Sequence, residues 1–197
     1  MSNEKKTLVI ASGNQHKIQE ISQIFPEYNV ISQREVGFNG DVEETGATFL
    51  ENAIIKAQAV CNSLNMPVLA DDSGLCVNAL GGEPGVFSAR YAGEHGNDAK
   101  NREHLLKNLQ GIEDRSAYFE CAMALVMPNH PPVTVSGRTY GKILEAECGA
   151  GGFGYDPIFF SDDLQKSFGE ATSQEKNGVS HRFRALMQLR ELLKEVL

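Results

Sequence analysis

The stretch PVLADDSGL, residues 67–75, closes an apolar run with two adjacent carboxylates. Residues 67–70 predict a short buried strand, and Gly74 predicts a turn directly after it. Successive side chains on a strand point to opposite faces, so Asp71 and Asp72 are expected to play different parts. A carboxylate at the end of a sheet strand lies where open α/β folds bind their ligands. The stretch therefore predicts a ligand-binding acid at the end of a core strand.

Two interpretations of this acidic pair remain open from the residues alone. Paired acids attract Mg²⁺, which prefers oxygen ligands and binds through one or two carboxylates together with substrate phosphates. Alternatively, Asp71 and Asp72 cap a turn, because Asp is a common turn former. The local pattern does not decide between a metal site and a turn.

The rest of the chain alternates apolar runs with amphipathic stripes. Strands are predicted over residues 7–11, 117–127 and 133–143, the last two as a hairpin. Helices are predicted after residues 12–14, after Thr45 or Thr48, over 98–109 and over 180–197. Glycine-rich residues 81–96 and 149–157 read as functional loops. This order predicts an α/β fold with a mixed sheet, in a single domain over residues 1–197.

Composition narrows the class of partner. The chain has 197 residues, 41% of them hydrophobic, and a formal net charge of −8. A sequence-independent nucleic-acid binder needs a basic surface, so we expect no nucleic-acid partner. An anionic ligand would need local lysines or a metal ion to overcome the overall field.

The cysteines and the hydropathy pattern bear on location. The four cysteines have no CxxC spacing, which argues against a disulfide framework or a zinc cluster. The first residues, MSNEKK, are polar, and no stretch approaches the roughly 20 apolar residues that a membrane helix needs. We expect a reduced, cytoplasmic protein without a membrane partner.

Two segments carry candidate phosphate-binding groups. In SGNQHK, residues 12–17, a strand runs into a glycine turn and a helix start, whose free N–H groups suit a phosphate. Lys17 would add a full charge there, although it also reads as a surface lysine. In residues 42–57, Glu43 and Glu44 precede a helix, and Lys56 lies on it. Taken alone, these three read as helix-end acids and a lysine at the rim of an apolar stripe.

Two later segments offer groups that suit a purine base. In GGFGYDP, residues 151–157, Phe153 offers a flat face and its neighbours offer polar groups; a core-plugging aromatic is the alternative. In SHR, residues 180–182, the histidine and arginine are donors to a carbonyl or a phosphate. The alternative there is a helix cap formed by Ser180. Lys176, just upstream, reads by default as a surface lysine.

Together these segments resemble the inosine triphosphate pyrophosphatase family, most closely its bacterial branch. The resemblance runs from TLVIASGNQHK to SHRFRAL, almost the whole chain. The segments that carry it are ETGATFLENAIIKA, ADDSGL, GGEPGVFSARYAG, GGFGYDPIF and SHR. It implies a mixed, elongated β-sheet with flanking helices, two lobes around a central cleft, and a homodimer. It also implies hydrolysis of ITP, dITP and XTP to the monophosphate and pyrophosphate with Mg²⁺.

The resemblance also implies roles for residues of this sequence. The catalytic residues would be Asp72, Lys17 and Lys56. The phosphate loop would be formed by Ser12, Gly13, Asn14, Gln15, His16 and Lys17. The metal would be held by Asp72 with Glu43 or Glu44, a choice that stays open. The remaining substrate contacts would come from Ser73, Phe153, Gly154, Tyr155, Asp156, Lys176, His181 and Arg182.

Selectivity would then rest on the six-position of the purine. Hypoxanthine and xanthine carry a carbonyl there, which suits the donors of His181 and Arg182, whereas the amine of adenine is unmatched. Two other functions are compatible with the same sequence: a pyrophosphatase for modified pyrimidine nucleotides, related to Maf proteins, and a nucleotide sensor without turnover.

Overall fold

The computed structural model describes residues 5–196, and their side chains as far as residue 193. The strands are β1 (Thr7–Ile10), β2 (Asn29–Ser32), β3 (Val68–Val77), β4 (Ser116–Val126), β5 (Val133–Ile143), β6 (Phe159–Ser161) and β7 (Lys166–Ser167). The helices are α1 (Gln15–Ile24), α2 (Phe49–Leu64), α3 (Asp98–Asn108), α4 (Ser173–Val179) and α5 (His181–Val196). None of the helices within the described part of the chain is both long enough and apolar enough to cross a bilayer.

The strands form one seven-stranded sheet in the order β2-β1-β3-β4-β5-β6-β7. β1 pairs in parallel with β2 and with β3. At the other end of the order, β6 pairs antiparallel with β5 and with β7. The prediction of a mixed α/β fold is therefore confirmed.

β3 is much longer than the sequence predicted. It spans ten residues and continues through the two acids and Gly74, so the predicted turn at Gly74 is wrong. The reason lies beyond the glycine, where residues 75–77 are apolar and buried and extend the strand. The chain turns only at residues 78–80, before Gly81 with a φ of +65°. Asp71 and Asp72 accordingly lie in the middle of a strand, not at its end.

The chain divides into two compact units, each with its own apolar core. Unit 1 comprises Met1–Asp72, Cys121–Ser136 and Ala185–Leu197, and unit 2 comprises Ser73–Glu120 and Gly137–Arg184. In unit 1, α2 packs its alanines and valine on β1, β3 and β4. In unit 2, the core gathers aromatic side chains around Phe119, Phe159 and Phe168. The single domain predicted over residues 1–197 stays a prediction.

α2 begins one residue after Thr48, which settles the choice between Thr45 and Thr48. The Thr48 side chain accepts from the backbone N–H of Glu51, whose carboxylate accepts from the backbone N–H of Thr48 in return. This reciprocal capping box satisfies two N–H groups at the helix start. The start of α2 is therefore held in one conformation.

Candidate active site

The two aspartates of β3 lie on opposite faces of the sheet. Val68 and Ala70 pack against the apolar face of α2. Asp72 continues that row because a strand repeats every two residues. Asp71 faces the other way and forms an ion pair with Lys17 of α1, 3.2 Å from Nζ to Oδ2. Both aspartates are buried, with 1% and 7% of their surface exposed for Asp71 and Asp72.

Asp72 is held by two side chains of α2. Nδ2 of Asn52 donates to its Oδ2 over 3.0 Å, and Nζ of Lys56 lies 3.4 Å from its Oδ1. Asn52 and Lys56 are four residues apart, which places them on the same face of the helix. Sequence reasoning missed Asn52. Its position four residues before Lys56, on the same helical face, was the signal that could have identified it.

Asn52 also fixes the segment before α2. Its Oδ1 accepts from the backbone N–H of Gly46 over 2.8 Å. A Cβ at Gly46 would lie only 2.7 Å from that oxygen, so glycine is required for the close approach. The segment that carries Glu43 and Glu44 is thereby tied to the residue that holds Asp72.

Lys56 contacts one of the two glutamates that precede α2. Its ammonium group lies 2.9 Å from Oε1 of Glu44 and also donates to the backbone carbonyl of Asp71 over 2.9 Å. Glu43 is exposed. The structure thus brings together six residues that we call the carboxylate cluster: Lys17, Glu44, Asn52, Lys56, Asp71 and Asp72.

Charge and burial compete inside the carboxylate cluster. Burial raises the pKa of Asp72, and the positive charges of Lys56 and Lys17 oppose this. Burial disfavours the charged form of Lys56, but the carboxylates of Asp72, Glu44 and Asp71 outweigh it and raise the pKa of Lys56. Lys56 therefore stays protonated at neutral pH, next to a carboxylate that is a stronger base than an exposed aspartate.

The predicted phosphate loop is organised by its own side chains. Asn14 caps α1, and its Oδ1 accepts from the backbone N–H groups of His16 and Lys17 over 3.0 and 3.3 Å. The N–H of Asn14 in turn donates to Oγ of Ser12 over 3.1 Å. The expectation that the N–H groups at this helix start are free is therefore wrong for His16 and Lys17. Of the other predicted loop residues, Gly13 and Gln15 are exposed, as is His16.

One cation near this loop was not predicted. A Cβ built on Gly13 would lie 3.8 Å from Nη2 of Arg34. Arg34 is exposed, and it follows the short strand β2, which sequence reasoning did not find. Arg34 and Lys17 therefore both place positive charge at this loop.

The donor set of the carboxylate cluster fits Mg²⁺. Glu44 and Asp72 both contact the ammonium of Lys56, so a cation already lies between their oxygens. In the described part of the chain, three or more His, Cys, Asp or Glu side chains nowhere group closely enough to hold a metal by themselves. Mg²⁺ is commonly bound by one or two carboxylates plus substrate phosphates, and this pair of acids suits that mode.

A second group of predicted residues lies in unit 2, around the loop 151–157. Oδ2 of Asp156 accepts from the backbone N–H of Phe153 over 2.8 Å and pairs with Nζ of Lys176 over 2.7 Å. The same ammonium lies 4.5 Å from the centre of the Phe153 ring. Phe153, Asp156 and Lys176 form what we call the aromatic–cation cluster. Lys176 is 5% exposed, so it is a buried residue rather than a surface lysine.

The geometry of this loop depends on Gly152. Its φ is +74°, and a Cβ there would overlap the carboxylate of Asp156. Only glycine allows Asp156 to lie over the loop while it accepts from Phe153. The turn therefore fixes the backbone from which the Phe153 ring projects.

Gly154 and Tyr155 are held by residues that sequence reasoning missed. Asp98 of α3 accepts a hydrogen bond from the backbone N–H of Gly154, and Arg102 of the same helix donates one to the backbone carbonyl of Gly154. The hydroxyl of Tyr155 donates to the backbone carbonyl of Ser88 over 2.8 Å, and burial raises the pKa of Tyr155. These partners lie more than 50 residues away along the chain, and no local pattern marks them.

The SHR segment joins Ser73 in unit 2. Arg182 is completely buried, and its Nη2 donates to Oγ of Ser73 over 3.0 Å. The His181 ring stacks on Phe119 with 5.0 Å between ring centres. Ser180 caps α5 by accepting from the backbone N–H of Phe183, so the predicted cap is confirmed. The role of His181 and Arg182 in substrate binding stays a prediction. The predicted site residues thus fall into two groups, one in each unit.

Comparison with known proteins places these groups in a family context. The sequence model of the Ham1 family matches residues 8–192. A dITP/XTP pyrophosphatase from Clostridium perfringens is 46% identical, covering 98% of this chain and 99% of that protein. A dITP/XTP pyrophosphatase from Bacillus subtilis is 49% identical, covering 95% of this chain and 97% of that protein.

Solved structures agree with the sequence relatives. The Ham1 protein of Staphylococcus aureus superimposes with a TM-score of 0.89 at 45% identity. The comparison covers 98% of this chain and all of that one. Full-length similarity in sequence and in fold leads to one conclusion: this chain belongs to the Ham1 family.

Proposed function

We propose that this chain hydrolyses deaminated purine nucleoside triphosphates (ITP, dITP and XTP) to the monophosphate and pyrophosphate. The observation that carries the proposal is the convergence of Lys17 and Lys56 on the buried aspartates of β3. Two relatives that are nearly half identical to this chain are named dITP/XTP pyrophosphatases, which supports the same substrate class here.

Lys17 and Lys56 are the proposed ligands of the triphosphate. A triphosphate brings several negative charges to a protein whose net charge is −8, so local cations must provide the attraction. Both side chains are mostly buried, with 14% and 12% exposed. Weak screening by water strengthens their interaction with phosphoryl oxygens as charge develops there.

Asp72 is the proposed general base. Asn52 and Lys56 hold its carboxylate in one orientation, so a water molecule within hydrogen-bond reach can be positioned and deprotonated. The proton of that water passes to Asp72 while the water oxygen bonds to phosphorus. The anhydride bond between the α- and β-phosphates breaks in the same displacement, so the monophosphate and pyrophosphate separate. Burial raises the pKa of Asp72, which makes it a better proton acceptor than an exposed aspartate.

Glu44 and Asp72 are the proposed metal ligands. When bound, Mg²⁺ would neutralise charge on the phosphoryl oxygens during displacement. Glu44 is chosen over Glu43 because it contacts Lys56, whereas Glu43 is exposed. The magnesium requirement itself is part of the proposal.

Arg182 and His181 are the proposed readers of the base. The hydrogen bond from Arg182 to Ser73 and the stacking of His181 on Phe119 restrict both side chains before a ligand arrives. Donors held in place favour a carbonyl at the six-position, and an adenine amine would leave them unmatched. Phe153 of the aromatic–cation cluster is the proposed stacking surface for the purine.

Pyrophosphate release from ITP, XTP and ATP, each with and without Mg²⁺, tests the proposal. We expect rapid release from ITP and XTP, little from ATP, and none without metal. Equal rates on ITP and ATP, or no release from ITP, would overturn it. A panel of modified pyrimidine nucleotides tests the alternative of a Maf-type enzyme. A calorimetric titration with ITP tests the alternative of a sensor that binds the nucleotide without turnover.

The homodimer, the cytoplasmic location and the absence of a nucleic-acid partner stay predictions.

A further inference from the structure

Two side chains of α3 bind the same residue of the loop 151–157. Oδ2 of Asp98 accepts from the backbone N–H of Gly154 over 2.7 Å. Nη1 of Arg102 donates to the backbone carbonyl of Gly154 over 2.8 Å. Asp98 and Arg102 are four residues apart, so they lie on the same helical face and hold Gly154 from both sides. We call this arrangement the α3 clamp.

The α3 clamp is itself held rigidly. Nε of Arg102 pairs with Oε1 of Glu147 over 2.7 Å, which fixes the guanidinium at its other edge. Only 14% of the Arg102 side chain is exposed. The helix is anchored by buried Leu105 and by Asn101, whose side chain is bound to the backbone of residues 89 and 92. The α3 clamp therefore holds the loop 151–157 in a position that the packing of α3 determines.

Gly154 needs such partners because of its conformation. Its φ of +60° takes it out of any regular element, so its N–H and carbonyl have no ladder or helix to join. Gly154 lies between Phe153 and Tyr155. Rotation of the peptide unit that joins Phe153 to Gly154 would displace the Phe153 ring. Oδ2 of Asp156 fixes only the other side of Phe153, through the backbone N–H.

We propose that Asp98 and Arg102 are positioning residues for base recognition: by clamping Gly154 they set the place of the Phe153 ring on which the purine stacks. The inference rests on the proposed function, since it assigns Phe153 to the base. Neither residue needs to touch the nucleotide. Loss of the clamp therefore weakens binding and base discrimination more than it slows the chemical step.

The test compares Asp98→Ala with Asp98→Asn. The asparagine keeps an oxygen that accepts from Gly154, whereas the alanine leaves that N–H without its partner. Lys100→Ala is the matched control, because Lys100 lies on the same helix and its ion pair with Glu94 is exposed, at 61% and 60% of the two side chains. Arg102→Ala examines the carbonyl side of the clamp. Circular dichroism establishes that all four variants are folded.

Two measurements are made on each variant. Hydrogen–deuterium exchange of the peptide that covers residues 150–157 reports on the clamp without any nucleotide. Steady-state kinetics on ITP and ATP report on recognition. For Asp98→Ala and Arg102→Ala we expect faster exchange in that peptide and a KM for ITP raised about tenfold, with kcat within about twofold, the scale of one lost charged hydrogen bond. Asp98→Asn should restore most of both, and Lys100→Ala should change neither.

The outcomes separate the two claims. If the unaltered protein does not hydrolyse ITP, the proposed function fails, and the clamp is judged on exchange alone. If exchange in residues 150–157 is unchanged in Asp98→Ala, the clamp is refuted whatever the kinetics. If exchange rises but the KM for ITP and the ratio of ITP to ATP turnover match those of Lys100→Ala, the role in recognition is refuted.

Discussion

Asn52 donates a buried hydrogen bond of 3.0 Å from Nδ2 to Oδ2 of Asp72, joining α2 to β3. The same side chain accepts from the N–H of Gly46. The side-chain amide of Asn52 therefore binds a carboxylate oxygen of Asp72 and the backbone N–H of Gly46 at the same time. Truncation of Asn52 would remove a hydrogen bond from each of these two groups.

Asn52→Ala is expected to lower kcat on ITP about tenfold and the free energy of unfolding by about 2 kcal/mol, because one buried and one part-buried hydrogen bond are lost. Pyrophosphate release and urea unfolding measure the two effects. Gln58→Ala is the control, since it removes a hydrogen bond to Asn62 on the exposed side of the same helix. Unchanged turnover in Asn52→Ala would mean that the orientation of Asp72 does not depend on Asn52.

Asp72→Asn should abolish turnover while the fold is kept, because asparagine matches the shape of aspartate but accepts no proton from water. Asp71→Asn changes the adjacent residue. It removes the charge that pairs with Lys17 but leaves Asp72 unchanged, so a partial loss of turnover is expected. Pyrophosphate release and near-ultraviolet circular dichroism are measured on both. Near-normal activity of Asp72→Asn would remove this residue from the mechanism.

Glu44→Gln should raise the Mg²⁺ concentration for half-maximal activity by at least about tenfold, because the loss of a group that only supports a metal ligand already has an effect on that scale. Glu43→Gln is the matched control from the adjacent position, and its magnesium dependence should stay unchanged. Titration of activity with Mg²⁺ after chelation distinguishes them. If the two variants behave alike, the assignment of Glu44 is wrong.

Lys176→Met should destabilise the protein by about 3 kcal/mol, because it takes the cation away from the buried carboxylate of Asp156. It also removes the ammonium beside Phe153, so the KM for ITP should rise. Lys166→Met provides the contrast, since its ion pair with Glu175 is far more exposed, at 33% and 41% of the two side chains, and its loss should destabilise the protein much less. Urea unfolding of both variants checks this, and equal losses would contradict the difference in burial.

The pH dependence of stability should contain a contribution from Glu175. Hydrogen bonds from Lys166 and from Thr172 lower the pKa of Glu175 from 4.5 to about 2 in the folded protein. A carboxyl with a depressed pKa stabilises the fold above its unfolded value, and this is lost as pH falls from about 4.5 toward 2. Glu175→Gln should therefore show a shallower loss of unfolding free energy across this range, measured by urea unfolding at steps of about half a pH unit. Parallel pH profiles for the two proteins would argue against it.

Sequence reasoning predicted the long elements and the residues carried on them. α2 has a continuous apolar stripe, so its periodicity alone is enough to place Lys56 on a helix. The sheet strands β6 and β7 were missed because they have only three and two residues, too few to show a repeat. β2 is four residues long with only Ser32 buried, which gives no alternating pattern either.

Contacts that decide the site were harder to predict than the elements. Glu43 and Glu44 have the same local setting before α2, and only the fold shows which one reaches Lys56. Asp98 and Gly154 are 56 residues apart, so their hydrogen bond leaves no trace in a sequence window. Long-range pairing depends on packing, and short-range periodicity does not encode it.

The uninterrupted course of β3 has an evolutionary consequence. Asp71 and Asp72 each have their own lysine because they face opposite sides of one strand. Insertion or deletion of a single residue between Val68 and Asp71 would turn both aspartates to the other face and exchange these partnerships, and one after Asp72 would do the same to the buried side chains of residues 75–77. Length variation among homologues should therefore accumulate in the connecting loops, and alignments should run through this strand without a gap.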